Sequence, residues 1–450
     1  MKKLLDTLKN IWKIDDLRYK LQITFWLLLV YRIGSYVTLP GIDPNLLDTK
    51  QADGGLFGII NMFAGGAFGR ASIFALGIMP YISASIVVQL LSLALPSFQR
   101  LQKEGEDGRR KINQITRYLT IAITLVQSYG FLINLKNTNP QAIMSIAHPE
   151  LLSDFMFTLS SMIILTASTM FVMWLGERIT DKGIGNGISL IIMIGIIARL
   201  PLSFWEEFNF KLTTGGGGLV IFVVELAALF AVVLLTILLV QGTRRIPVQY
   251  AKRIVGNRQY GGVRQYIPLK INAAGVMPII FAQALMFVPG YAAQFVSNIE
   301  ANSFLASFAN PLSFAYNFTF GLLIVLFTYF YTAISVNANQ IADDMKRNNG
   351  FIPGVKPGKS TADFIDNVMS RITLPGAIFL AIVAVLPSFA GAFNINSQFA
   401  QFYGGTSLLI LVGVVLDTLQ QIESHLLMRQ YDGLMKNGKI KGRSGNTSAA

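Results

Sequence analysis

Two short phrases occur twice in this chain. Gly77-Ile78-Met79-Pro80 returns as Gly275-Val276-Met277-Pro278. Gly187-Ile188-Ser189-Leu190-Ile191-Ile192 returns as Gly405-Thr406-Ser407-Leu408-Leu409-Ile410. Order is kept, spacing is similar, and all four copies lie in long apolar stretches. Gly and Pro that interrupt apolar segments at matching places in two halves point to a duplicated membrane fold with a transport path between the halves.

Composition agrees. Of 450 residues, 52% are hydrophobic and 14% charged, and the mean hydropathy is +0.51. A soluble protein of this size could not cover that much apolar surface, so the class is an all-α polytopic membrane protein. There is no cysteine, which excludes a disulfide framework and thiol chemistry. Residues 1–21 read as a basic amphipathic helix on the membrane surface, with Leu4, Leu5, Leu8, Ile11, Trp12 and Ile14 on one face and Lys2, Lys3, Lys9 and Lys13 among them.

Ten stretches have the roughly 20 residues that a span needs: 22–40, 71–95, 116–136, 154–176, 184–204, 218–240, 273–295, 314–336, 373–394 and 402–423. Lys and Arg collect in alternate connections, which hold 31 of the 37. By the positive-inside rule both termini are cytoplasmic. The repeat joins span 2 to span 7 and span 5 to span 10, so the unit is five spans. An odd unit starts its second copy on the opposite side of the membrane, and the two halves are therefore inverted copies. The expected divisions are a first half over 22–205, a second half over 206–430 with long cytoplasmic loops at 241–272 and 337–372, and a largely disordered tail over 431–450.

Between spans 1 and 2 lies LFGIINMFAGGAFGR (56–70), apolar, Gly-rich and too short to cross. It suits an interfacial or re-entrant helix, or a re-entrant piece that stoppers a funnel. Ile82 and Ile280 each follow a repeated proline by two residues, and Ile192 and Ile410 are repeat mates. Ile78 and Ile188 sit one helical turn before Ile82 and Ile192 on the same faces. This isoleucine set either converges on one axis as an apolar constriction or is ordinary lipid-facing or core isoleucine. An apolar ring gates by dewetting and holds no ion.

The rival class is a coupled transporter of a small solute, which keeps acids or histidines at mid-membrane. Here His148 and His425 lie outside the spans, and no acid flanks a repeated break. Glu225, Asp417 and Arg32 do lie in spans, where helix pairing is the expected role. Catalysis is not expected: HExxH is absent, and 354–360 resembles a phosphate loop but is one residue short and carries a proline. No cofactor or metal is expected. Gly183 to Gly187 reads as a tight turn opening span 5. The loop 241–272 sets Arg244, Arg245, Lys252, Arg253, Arg258 and Arg264 among Tyr250, Tyr260 and Tyr266, a mixture suited to RNA or an acidic partner. The positive-inside rule alone explains the charge but not the length.

At these residues the chain resembles the SecY/Sec61α family of protein-conducting channels in its bacterial form. ASIFALGIMPYISASIVVQLL (71–91) and MWLGERITDKGIGNGISLII (173–192) resemble the family's two signatures. RRIPVQYAKR (244–253), PLKINAAGVMP (268–278), GFIPGVKPG (350–358) and FYGGTSLLI (402–410) also match. The resemblance implies an hourglass pore between inverted five-helix halves. It puts the constriction ring on Ile78, Ile82, Ile188, Ile192, Ile280 and Ile410, and a plug on Leu56, Phe57, Ile59, Ile60, Met62, Phe63, Phe68 and Arg70. It puts a lateral gate between spans 2–3 and 7–8, with Gln89, Gln127 and Asn272 as its polar cluster. Ribosome or motor contacts fall on Arg244, Arg245, Lys252, Arg253, Arg258 and Lys356. Lys356 departs from the family's usual Arg and cannot make a planar bidentate contact.

The implied function is the channel subunit of a Sec translocase in the bacterial cytoplasmic (inner) membrane. It would pass unfolded secretory proteins across and release transmembrane segments sideways into lipid. It would not be an enzyme, and the implied partners are SecE, SecG, the SecA motor, the ribosome, signal sequences and unfolded precursors. The alternative is an inverted-repeat secondary transporter of a small solute.

Overall fold

The computed structural model describes residues 14–47, 55–147, 153–213, 218–250, 253–255, 258–260, 264–295, 307, 310, 312–392 and 395–436. In chain order the helices are α1 (Asp15–Gly34), α2 (Gly55–Phe63), α3 (Met79–Ala94), α4 (Pro96–Lys103), α5 (Glu106–Thr138), α6 (Asp154–Lys182), α7 (Gly187–Thr213) and α8 (Gly218–Gln241). After a β-ribbon come α9 (Met277–Phe295), α10 (Phe314–Ser335), α11 (Ala338–Arg347), α12 (Lys359–Ala392) and α13 (Gly405–Lys436), with a single turn at Ser397–Ala400. Leaving out α2, α4 and α11, one helix falls in each of the ten predicted spans. Seven of these, α5, α6, α7, α8, α10, α12 and α13, are by themselves long and apolar enough to cross a membrane.

Three fall short, α1, α3 and α9, and at spans 2 and 7 the reason lies in the repeat. Neither is helical throughout. Residues 73–78 and 271–276 run as successive turns, and helix begins only at Met79 and Met277. Gly77 (φ +54°) and Gly275 (φ +65°) hold the left-handed backbone that directs the chain into each helix. Pro80 and Pro278 follow in the first turn, where the missing N–H is no loss. In the first copy the non-helical stretch is largely buried in protein and its amides are bonded: Ile73 N–H donates to Val37 O at 2.8 Å, Ala75 N–H to Ser72 O at 3.0 Å and Gly77 N–H to Phe74 O at 2.9 Å. The second phrase behaves alike, with Gly187 opening α7 and Gly405 opening α13. The doubled phrases thus mark four helix starts.

Other boundaries move. α1 runs without a break across 21/22, and 1–13 of the expected surface helix lie outside the described residues. α7 continues past 205 to Thr213, because Glu207 and Lys211 are paired in the interior. α13 continues to Lys436, so the first part of the expected tail is helical; 437–450 lie outside the described residues. The Gly183–Gly187 turn forms as expected, and Asn186 Oδ1 caps α7 by accepting from Ile188 N (3.1 Å) and Ser189 N (3.3 Å).

The two segments expected as long cytoplasmic loops are not loops. β1 (Thr243–Tyr250) leads to the short strands β2 (Arg253–Val255) and β3 (Arg258–Tyr260), and then β4 (Arg264–Lys270) returns antiparallel to β1. β5 (Gly350–Phe351), from the second segment, adds to the end of β1 at Gln249 and Tyr250. Ile246, Val248 and Leu269 from the ribbon close on Met345, Ile352, Ile365 and Met369. The segments therefore fold as one platform with its own apolar core.

The two halves meet along two flanks. On one, α3 and α5 pack against α9; on the other, α7 packs against α8 and α13. α8 exposes Val220, Val224 and Phe230 and buries Phe222 and Glu225, as expected of a helix with most of its surface toward lipid.

Candidate functional site

All six candidate ring isoleucines belong to one apolar cluster. Ile78, Ile82, Ile192, Ile280 and Ile410 are buried in it, and Ile188 is half-buried against it. They come from both halves and from four helices, or the residue just before one. Each lies within a turn or two of a helix start fixed by a repeated phrase, so the Gly and Pro positions set where these side chains fall.

The segment at 56–70 is helical only as far as Phe63 and turns thereafter. Its Gly-rich half cannot hold helix: Gly65 (φ +65°) and Gly66 (φ +84°) are left-handed. Asn61 stitches the turn, accepting Gly66 N–H on its carbonyl at 2.7 Å and Gly69 N–H on Oδ1 at 2.8 Å. Ile60, Met62, Phe63 and Phe68 are buried, and Ile59 and Arg70 are half-buried. The side chains of Leu56 and Phe57 lie outside the described residues. Phe68 packs edge-on against Phe131 of α5, with centroids 4.9 Å apart.

This segment touches both halves. A Cβ added at Gly195 of α7 would come within 2.5 Å of the Phe63 carbonyl oxygen, so backbone meets backbone there. On the other side, Ser407 Oγ of α13, which donates to Gln401 O at 3.0 Å, touches Met62 Sδ at 3.5 Å. Two arginines hold the turn: Arg70 Nη2 donates to Gly65 O at 3.0 Å and Arg32 Nη1 to the same oxygen at 3.3 Å. Arg32 therefore anchors this segment and does not serve the expected helix pairing.

The three residues of the expected polar cluster do not bond to one another. Gln89 Oε1 instead accepts from the hydroxyl of Tyr331 on α10, across the meeting of the two halves. Tyr331 also stacks edge-on against Phe281 of α9, centroids 4.9 Å apart. Asn272 is buried and donates from Nδ2 to Gly275 O at 3.1 Å, which fixes the turn before α9; its Oδ1 has no partner among the described residues. Gln127 Oε1 is buried without a partner among the described residues. Gln89 and Asn272 serve different contacts because one lies on α3 and the other on the turn leading into α9.

Asn272 helps line a cavity of about 240 Å³ with Asn186, Ser189, Lys270, Asp417 and Gln420. Asp417 faces this cavity and accepts from Gln421 on its own helix at 3.2 Å, and among the described residues it makes no ion pair with another helix. Glu225 does: its Oε1 lies 2.9 Å from Lys211 Nζ.

On the platform Arg244, Arg245, Arg264, Tyr266 and Lys356 are exposed. Arg253 and Arg258 lie on the β2–β3 hairpin, with side chains outside the description, and Lys252 lies outside the described residues. Sequence reasoning missed Tyr331, Gly195, Asn61 and Ser407. Only Asn61 carried a signal, as a polar residue inside an apolar run.

A helical membrane bundle with irregular backbone at its centre, an apolar cluster between two halves and a short segment seated on both belongs to the class of protein-conducting channels. The comparisons agree. Solved structures of similar fold include "The structure of a protein conducting channel" (TM-score 0.59, 17% identity, covering 90% of this chain and 92% of that one). Another is Sec61 in the canine ribosome–channel complex (TM-score 0.56, 16% identity, 90% and 92%). The SecY family model matches residues 72–419. The chain is 43% identical to the protein translocase subunit SecY of Streptomyces galbus, over 94% of this chain and 98% of that relative. It is 42% identical to that of Chlamydia trachomatis serovar D, over 97% and 99%. The chain belongs to the SecY family. It is a multi-pass membrane protein and the protein-conducting channel subunit of a translocase; the small-solute transporter is not favoured.

Proposed function

We propose that unfolded chains cross between the two halves through the constriction formed by Ile78, Ile82, Ile188, Ile192, Ile280 and Ile410. Their shared membership of one buried apolar cluster carries this reading. An apolar constriction gives a polar backbone nothing to bind, so varied sequences slide, and when empty it excludes water and ions by dewetting. Residues 56–70 close the path from the external side at rest. Their contacts with Gly195 on one half and Ser407 on the other support this, since parting the halves loosens both.

Signal sequences and transmembrane segments leave between the α3–α5 pair and the α9–α10 pair into lipid. The seam there is mostly apolar, bridged by Gln89 and Tyr331. The platform is the docking surface for a SecA motor or a ribosome, through Arg244, Arg245, Arg253, Arg258, Lys252 and Lys356. SecE and SecG complete the complex. The chain hydrolyses no nucleotide itself, lies in the bacterial inner membrane, and has both termini in the cytoplasm, in accord with its charge distribution.

The test is ion conductance of the purified channel in planar bilayers without substrate. The double variant Ile82→Ser/Ile280→Ser adds hydroxyls where water is excluded and should leak more than either single variant, while Ile→Leu at both places stays tight. A folded double variant as tight as the parent places those side chains in packed core, away from any path.

A further inference from the structure

Lys211 is 3% exposed, in the last turn of α7, and unlike most lysines it is held by acids on two sides. Its Nζ lies 2.9 Å from Glu225 Oε1 on α8 and 3.5 Å from Glu207 Oε1 one turn earlier. The other oxygen of Glu207 accepts the backbone N–H of Asn396 at 2.9 Å. Three segments are thus tied at one point: the end of α7, the first turns of α8, and the chain leading into the Ser397–Ala400 turn. Aromatic rings join the same three segments. Phe204 and Phe208 of α7 pack edge-on against Phe222 of α8 at 5.4 and 5.5 Å, and Phe204 meets Phe399 at 6.3 Å.

The position of this knot in the chain matters. It sits where the first half passes covalently into the second, between Thr213 and Gly218. α7 carries Ile188 and Ile192 near its other end, and Pro201 falls between them and the knot. A proline inside a helix removes one backbone bond and makes the outer turns a separate lever unless something pins them. Asn396 stands a few residues before Gly405, where α13 begins, and α13 carries Ile410 and the Ser407 that touches Met62. The knot therefore ties the end of α7 to the chain that leads into α13. These two helices supply three of the six ring isoleucines.

Burying three charges is costly, and an apolar set of the same volume often stabilises a fold as well or better. What the ionic set adds is direction: Lys211 accepts no arrangement of α8 that takes Glu225 away from it. On the opposite flank the described polar tie between the helices is the neutral Gln89–Tyr331 bond.

We propose that Lys211, with Glu207 and Glu225, is a positioning clasp that sets one relative placement of α7, α8 and the chain entering α13 at the joint between the two halves. Its consequence for the ring rests on the conducting path proposed above.

The chain has no cysteine, so two can be introduced without background. Spin labels at Trp205→Cys and Phe389→Cys, both exposed and one on each half, report the spacing of the halves in the full-length channel by double electron–electron resonance. With the clasp intact the distance distribution is narrow. The neutral variant Glu207→Gln/Lys211→Met/Glu225→Gln, which leaves no unpaired charge, should broaden it roughly twofold as the halves sample more placements. The exchange Lys211→Glu/Glu225→Lys keeps one cation between two acids and should restore the narrow distribution. A neutral variant that folds and stays narrow overturns the clasp. If the neutral variant does not accumulate, the exchange decides alone: narrow supports the clasp, broad overturns it. Resting ion conductance of the neutral variant is read separately. Broadening without leak leaves the clasp standing and counts against the ring, whereas an unchanged distribution removes the clasp whatever the conductance.

Discussion

Tyr331 donates its phenolic hydrogen bond to Oε1 of Gln89, joining α10 of the second half to α3 of the first. Gln89 Nε2 in turn donates to Ser85 Oγ one turn back at 3.2 Å, which holds the amide in place to accept. The rest of the tyrosine is ring, set against Phe281 and Phe330. Hydroxyl and ring can therefore be separated by mutation. Tyr331→Phe should keep the packing and lose one neutral hydrogen bond, about 0.5–1.5 kcal/mol, or roughly 2- to 13-fold in the ratio of parted to closed seam. Export of a precursor with a weakened signal should rise by a factor in that range, with export of an intact precursor and abundance of the channel unchanged. Equal loss of both precursors would assign the hydroxyl to folding.

Gly195 gives the most direct handle on the 56–70 segment. Even the smallest side chain there collides with the Phe63 carbonyl and lies 3.2 Å from the Gly65 nitrogen, and backbone cannot swing aside as a side chain can. Gly195→Ala should unseat the segment and raise resting conductance in planar bilayers while leaving the channel folded. Conductance equal to the parent's would show that the segment adjusts in place and does not seal. Deleting 58–68 outright is a blunter test. The segment buries Ile60, Met62, Phe63 and Phe68, and its loss uncovers Phe131.

The platform separates surface from core. Lys356→Glu and Arg245→Glu change exposed charges and should weaken binding of the motor or ribosome, most at low salt, without lowering channel abundance. Val248→Asp buries an unpaired carboxylate in the platform core, where Val248 is fully buried, and should lower abundance by destabilising the ribbon itself. Pull-down with the channel in detergent, alongside quantitative blotting, distinguishes the two. Binding lost in proportion to abundance for Lys356→Glu would deny it a contact role.

How much of this is legible in the sequence follows from the range of each interaction. The repeated Gly and Pro act through their own backbone, so the starts of α3, α7, α9 and α13 can be found without any partner. The isoleucine set follows by counting turns from those starts. Tyr331 cannot be found that way. It lies in a run of aromatics, and its partner is 242 residues away. Gly195 likewise looks like any small residue in an apolar helix until the neighbouring backbone is seen. The strands of the platform alternate correctly at Ile246, Val248, Ile267 and Leu269, but Pro247 and Pro268 argue against strands. The fold tolerates Pro247 because β5 covers β1 only at Gln249 and Tyr250. The ionic triad was half visible: Glu225 stood out inside a span, whereas Lys211 and Glu207 lie beyond the predicted end of theirs.

The central claim is that the translocating chain passes between the isoleucines. A photoreactive amino acid at Ile82, Ile280 or Ile410, one at a time, in a channel holding an arrested secretory precursor, measures this directly. Val220 and Phe230, exposed on α8, serve as lipid-facing controls. The account predicts crosslinks to the precursor from all three ring positions and none from the controls. Crosslinks to neighbouring helices alone from Ile82, Ile280 and Ile410, with the precursor demonstrably arrested, would contradict it.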